Sequence, residues 1–139
     1  ALSLGRWYHI AVVDNGSEMT IYIDGNAEIS VDSSSSKAIN LGFYYNSPFA
    51  IGMSAADVRY FNGYVSEARV WKRALTPTEL KNNQCYVDPA TAEGLIGYWR
   101  LDQVEDDGRT FTDLSGNGYH GKASSNPIWT GEIKCPVVD

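Results

Sequence analysis

Two groups of side chains in this sequence have types and spacings that could do chemistry. The first is aromatic and amide-bearing: Tyr44-Tyr45-Asn46 and Tyr60-Phe61-Asn62, with Phe49 between them. Aromatic faces stack against sugar rings, and a neighbouring amide can bind hydroxyls; a few placed polar groups on an apolar wall are the usual make-up of a ligand site. Both triplets sit in or beside loop-like stretches, where binding residues concentrate. The structural alternative is that these rings pack across the ends of a sheet. The second group is Asp113 and Asn117 in Asp113-Leu114-Ser115-Gly116-Asn117-Gly118. Hard cations such as calcium take carboxylate, amide and carbonyl oxygens, which these two residues could supply, as could Asp102 or Asp106-Asp107. The alternative is an Asx turn, in which Asp113 caps its own backbone.

Catalytic signals are absent. Retaining glycoside hydrolysis needs two carboxyl groups about 5 Å apart, which alternate residues of one strand would provide, and no strand-like segment carries them. Glu67 has Arg69 two residues on, which points to an ion pair on one sheet face. There is no Gly-x-Ser-x-Gly elbow, no phosphate-binding loop and no dinucleotide fingerprint. His9 lies between Tyr8 and Ile10 and reads as a packed, hydrogen-bonded residue. His120 follows a Gly-rich loop and reads as its anchor. The expectation is a protein that binds and does not catalyse.

Charge narrows the ligands. A net charge of −6 with scattered basic residues disfavours nucleic acid, whose binding rests on Lys and Arg meeting phosphates, and disfavours an anionic membrane surface for the same reason. No apolar run reaches the roughly 18 residues that span a bilayer. Cys85 and Cys135 are a disulfide pair in an exported protein and free thiols in a cytosolic one. Two cysteines do not make a zinc site with two distant histidines.

The elements that must position these residues are short strands. Arg6 to Val13, Glu18 to Asp24 and Ala27 to Asp32 form a meander, its first turn carried by Asn15-Gly16, a strong hairpin signal. Asp32 to Ser36 is a serine-rich loop. Phe49 to Met53 reads as a strand, Ser54 to Asn62 as a loop, and Gly63 to Lys72 as a strand with Val65, Glu67, Arg69 and Trp71 on one face. Thr76-Pro77-Thr78-Glu79 is a capping box with proline at helix entry, predicting one helix over Pro77 to Asn82. Gly94 to Leu101, His120 to Ala123 and Ile128 to Ile133 complete the strands. Short strands with turn signals every 8 to 12 residues and a single helix predict an all-β sandwich or barrel.

Three stretches carry a resemblance. Gly5-Arg6-Trp7-Tyr8-His9-Ile10-Ala11-Val12-Val13 with Met19-Thr20-Ile21-Tyr22-Ile23-Asp24-Gly25 resembles the central hairpin of laminin G-like domains. Phe61-Asn62-Gly63-Tyr64-Val65-Ser66-Glu67-Ala68-Arg69-Val70-Trp71 through Thr76, with Glu79-Leu80, resembles their last strand and helical turn. Leu95-Ile96-Gly97-Tyr98-Trp99-Arg100-Leu101-Asp102 with Asp113 to Gly121 resembles a segment of bacterial members. The resemblance implies an antiparallel jelly-roll β-sandwich of the concanavalin A-like lectin and glucanase kind, within a larger secreted, periplasmic or cell-surface protein. It implies a carbohydrate or cell-surface glycan as ligand, calcium as a possible cofactor, and other domains of the parent protein as partners. A structural or protein-interaction module is the alternative function, and a concanavalin A-like glycoside hydrolase a remoter one, since its Glu-x-Asp-x-x-Glu strand motif is missing here.

Against the family pattern only six residues precede the Trp7 hairpin, and the Tyr98-Trp99 segment, which often opens such a domain, follows the helix. Residues 1–139 are therefore expected to form one sandwich short of N-terminal strands, with 86–139 packing on it as a C-terminal extension. Open sheet edges then invite pairing with a second copy. Export makes Cys85–Cys135 a disulfide closing a 51-residue loop, counting both ends. Such a bridge contributes roughly 2–4 kcal/mol.

Overall fold

The computed structural model describes residues 2–34, 49–54, 59–102, 104–124 and 135. Every strand pairing is antiparallel. The first sheet is β1 (Ile10–Asp14), β2 (Glu18–Ile23) and β3 (Asn26–Asp32), in that order. Two-stranded ladders follow: β4 (Met53–Ser54) with β5 (Arg59–Tyr60), β6 (Ala68–Trp71) with β7 (Leu95–Trp99), and β8 (Thr110–Phe111) with β9 (Gly121–Lys122). The one described helix is α1 (Pro77–Asn82), between β6 and β7.

Local chemistry accounts for the elements that form as the sequence predicts. At the β1–β2 turn the Asn15 side-chain oxygen accepts from the amides of Ser17 and Glu18 at 2.9 Å each. Gly16 takes a φ of 89°, in the left-handed region that favours glycine. The capping box on α1 is complete: Thr76 Oγ1 accepts from the Glu79 amide and the Glu79 carboxylate accepts from the Thr76 amide.

Four strand expectations change. The first ladder begins at Ile10, not Arg6, because Asp24 Oδ1 takes the His9 amide at 2.8 Å in place of a strand carbonyl. The Phe49–Met53 strand shrinks to a ladder starting at Met53, after Gly52 turns with a φ of 76°. Its partner, Arg59–Tyr60, lies in the stretch expected to be a loop. The Gly63–Lys72 strand starts at Ala68, since Glu67 has a φ of 55° and cannot continue an extended chain. The expected strand over Ile128–Ile133 lies outside the described residues.

The buried apolar side chains gather at one end: Leu75 and Leu80 around α1, Val87 after it, and Leu95, Tyr98 and Trp99 on β7. Tyr98 is fully buried. β7 pairs with β6 through Ala68↔Trp99, Arg69↔Tyr98 and Val70↔Gly97. The chain after the helix thus lies beside the strand before it. Cys85 and Cys135 are bonded to each other.

Candidate functional site

The described half of the aromatic group sits on a hairpin. Tyr60 ends β5, and Phe61 and Asn62 follow it; the Phe61 amide donates to the Gly52 carbonyl at 2.8 Å, closing the hairpin. Tyr60 is 70% exposed and Phe61 60%. Both line an open depression of about 440 Å³ shared with Ile51, Met53, Arg59 and Val65. Exposed rings around an apolar depression offer stacking surface, and Asn62, also exposed, offers amide donors and an acceptor. Tyr44, Tyr45 and Asn46 lie outside the described residues.

Phe61 also reaches a larger groove of about 1370 Å³, which runs along residues 2–16 on one wall and 61–75 on the other. Trp7 and Tyr64 face each other across part of it, ring centroids 6.4 Å apart. Polar groups at its base form an ion cluster. The left-handed backbone of Glu67 is tied to β7 through its amide, which donates to the Arg100 carbonyl at 3.1 Å. Its carboxylate accepts from the Tyr98 hydroxyl at 2.9 Å and pairs with Arg69 at 3.4 Å. The expected Glu67–Arg69 pair is therefore present, but it is buried and it is made by a residue outside the strand. Arg69 also donates to the Asn83 carbonyl at 2.6 Å and the Cys85 carbonyl at 3.0 Å, so it holds the chain leaving α1. Burial, then the hydrogen bond to Glu67, pushes the Tyr98 hydroxyl up to about 12.

His9 also lines this groove. It is half-buried, as expected, but its buried Nδ1 has no hydrogen-bond partner among the described residues. Burial and then the nearby Arg69 charge lower its pKa, which keeps the imidazole neutral at pH 7.

Asp113 is an anchor built from distant chain. Its Oδ1 accepts from the amides of Tyr98 and Ser115, each at 2.9 Å. Its Oδ2 accepts from the Ser115 hydroxyl at 2.9 Å and the Tyr119 amide at 3.0 Å. Burial raises its pKa, but the hydrogen bonds, led by the Ser115 amide, outweigh that and lower it. A carboxylate has about four lone-pair sites, and four donors fill them. The Asn117 amide nitrogen donates to the Ile96 carbonyl at 3.2 Å and to Ser115 Oγ at 3.1 Å. Asp113 therefore has no lone pair left for a calcium ion, which needs oxygens with lone pairs to give. Of the alternative sources, Asp102 Oδ2 pairs with Arg100 at 2.9 Å while its buried Oδ1 has no hydrogen-bond partner among the described residues, and Asp107 accepts from Thr110 and Arg109. Among the described residues no group of three or more His, Cys, Asp or Glu could hold a metal. His120 anchors this loop, its Nδ1 accepting from the Asp113 amide at 3.1 Å.

These features can be set beside known proteins. The Concanavalin A-like lectin/glucanases superfamily, in its laminin G form, matches residues 1–81. The chain belongs to this family. The laminin G-like fold, with antiparallel strands and one short helix, is the architecture that the sequence predicts. A crystal structure of a Bacteroides ovatus protein, to which carbohydrate binding has been ascribed, is 33% identical with a TM-score of 0.73. The match covers 99% of this chain and 39% of that one. A Clostridium thermocellum S-layer domain-containing protein is 30% identical over 59% of this chain and 41% of its own, with a TM-score of 0.47. No curated protein matches the chain.

The laminin G-like match stops at residue 81, so the Asp113 loop and β7 lie beyond it. Sequence reasoning missed two things there. The Tyr98–Glu67 bond joins residues 31 apart, and the Arg69 clamp joins β6 to the helix exit. A carboxylate two residues from an arginine, Glu67 and Arg69, was the available signal. The identity of its further partners was not encoded locally.

Proposed function

We propose that this chain is a non-catalytic carbohydrate-binding or adhesion module of a larger secreted or surface protein. Tyr60, Phe61 and Asn62 are its described contact residues, and Tyr44, Tyr45 and Asn46, outside the described residues, are its further candidates from the sequence. The observation that carries the reading is the pair of exposed rings on the β4–β5 hairpin, beside an open apolar depression. Such rings expose apolar surface that folding would otherwise bury, and aromatic residues with a wet edge serve binding surfaces. The carbohydrate binding ascribed to the Bacteroides ovatus protein, similar across nearly the whole chain, supports the ligand class. A disulfide supports an oxidising, extracytoplasmic setting. Among the described residues no helix is long and apolar enough to cross a membrane.

Catalysis is disfavoured by what Glu67 does. Its carboxylate is engaged by Tyr98 and Arg69, and Arg100 Nε stands 3.9 Å away; β6, which follows it, carries no carboxylate. A protein-interaction module without sugar affinity is the second reading, favoured by the apolar side chains left exposed on the first sheet. A glycan array separates the two. Tyr60→Ala and Phe61→Ala should each weaken any glycan bound by about 5- to 150-fold, since ring stacking is worth on the order of 1–3 kcal/mol, with thermal stability unchanged. Unchanged affinity in both variants places the ligand elsewhere, and an array with no glycan bound favours the second reading.

A further inference from the structure

Three asparagines in this chain precede a glycine: Asn15-Gly16, Asn62-Gly63 and Asn117-Gly118. Such a pair can react with itself in water. The glycine backbone nitrogen, once deprotonated, attacks the asparagine side-chain carbonyl carbon, an approach that glycine hinders least because it has no side chain. The N–Cγ bond forms, the Cγ–Nδ2 bond breaks and ammonia leaves, giving a cyclic succinimide. Water then opens the ring at either carbonyl. One opening leaves an aspartate; the other routes the main chain through Cγ and leaves an isoaspartate. Water is the co-reactant, and no oxidant or reductant is needed.

All three pairs are exposed, so access to water does not separate them. Hydrogen bonds do. Asn15 Oδ1 accepts from the amides of Ser17 and Glu18, and the Gly16 amide, the would-be nucleophile, donates to Asp14 Oδ1 at 2.9 Å. Asn117 Nδ2, the would-be leaving group, donates to the Ile96 carbonyl at 3.2 Å and to Ser115 Oγ at 3.1 Å. At both positions bonds must break before Cγ can turn to the glycine nitrogen. Asn62 and Gly63 follow the end of β5, outside any ladder. Among the described residues the Asn62 side chain has no hydrogen-bond partner and the Gly63 amide donates to no acceptor.

The Phe61 ring lies over this glycine. A Cβ on Gly63 would stand 2.7 Å from Phe61 Cε1 and 2.8 Å from Cζ, nearer than carbons pack, so the ring keeps this position only against a glycine.

We propose that Asn62-Gly63 is a self-modification site, closing to a succinimide in the folded protein and opening to aspartate and isoaspartate, while hydrogen bonds protect Asn15 and Asn117. A neutral amide beside Tyr60 and Phe61 thereby becomes a carboxylate. The isoaspartate product also inserts the Cβ methylene into the main chain between Phe61 and Gly63, which lifts the ring from its seat. The hairpin surface changes charge and shape as the protein ages. Only the effect of this on a ligand rests on the glycan reading above.

The test follows the three Asn-Gly peptides of the folded protein through incubation at mildly alkaline pH, by mass spectrometry with fragmentation that distinguishes aspartate from isoaspartate. Position 62 should convert at least about tenfold faster than positions 15 and 117, since hydrogen bonds of ordinary net strength hold back each of those. In urea, where all three side chains are free, the rates should converge. Equal rates in the folded protein, or Asn15 or Asn117 ahead, overturn the proposal. A spread that survives unfolding also overturns it, because the order would then come from neighbouring residues in sequence. Asn62→Gln, which keeps an amide but closes a larger and less favourable ring, should abolish the conversion in its peptide; an unchanged mass gain there overturns the site. None of these readouts needs a ligand, so failure of the glycan reading leaves them intact, and their failure leaves that reading standing.

Discussion

Replacing Asp113 with alanine should cost this protein about 3–5 kcal/mol. The carboxylate is only 4% exposed and accepts four hydrogen bonds, three from backbone amides and one from a hydroxyl. A hydrogen bond to a charged group is worth about 1.5–3 kcal/mol, and a buried donor left without a partner costs about 1–3 kcal/mol. The Ser115 hydroxyl can turn to Ile96, whose carbonyl it already reaches at 3.1 Å, and part of the loop will relax toward water. The amides of Tyr98 and Tyr119 cannot both be satisfied that way. Asp113→Asn keeps one acceptor oxygen for Tyr98 and Ser115 but opposes an NH₂ group to the Tyr119 amide, so about 2 kcal/mol should be lost. Urea unfolding followed by tryptophan fluorescence measures both. Calcium should leave the melting temperature of the wild-type protein where it is. A loss below about 1 kcal/mol for Asp113→Ala, together with a calcium-dependent rise in melting temperature, would refute the anchor and restore the cation site.

Stability should fall as the solution is acidified. Hydrogen bonds from Arg73 and then Thr76 hold Glu79 down to about 2, and those from Thr110 and Arg109 hold Asp107 down to about 2. Groups whose folded pKa is depressed contribute above their unfolded values near 4 and lose that contribution as pH falls through the folded ones. Denaturant midpoints should therefore drop between about pH 4 and pH 2; a flat profile there would count against these contacts. At the alkaline end the sign reverses. Tyr98 stays protonated to about 12 in the folded state, so stability should decline once pH passes the unfolded value near 10. Tyr98→Phe should remove that decline and cost about 1–2 kcal/mol at neutral pH, since buried Glu67 loses a donor. Cys135→Ser or reduction of the Cys85–Cys135 bond should lower stability by roughly 2–4 kcal/mol; an unchanged unfolding midpoint would show the bridge to be energetically idle.

Local rules were legible because their causes lie within a few residues. Thr76, Pro77 and Glu79 dictate where α1 begins, since a capping box closes on itself within four positions. Asn15-Gly16 dictates the first hairpin for the same reason. The family stretches were legible as well, because residues 5–25 and 61–80 carry their motifs in unbroken runs of sequence. Of the aromatic group, Tyr60 and Phe61 are exposed as the sequence predicts, although β5 runs through what reads as loop: two paired residues leave no periodicity to detect.

Tertiary structure decided what distant partners decide. Asp113 next to Asn117 in a Gly-rich loop has the composition of a cation site, and only the approach of the Tyr98 and Tyr119 amides turns it into an anchor. Glu67 beside Arg69 reads as an ion pair on one face of a strand. The left-handed turn at Glu67 and the Tyr98 hydroxyl, 31 residues away, make it a buried tie between β6 and β7. The alternation in β1 and β2 told which side chains share a face, since side-chain direction repeats every two residues. Whether that face meets a neighbour depends on chain elsewhere in the fold, which periodicity within a strand does not contain.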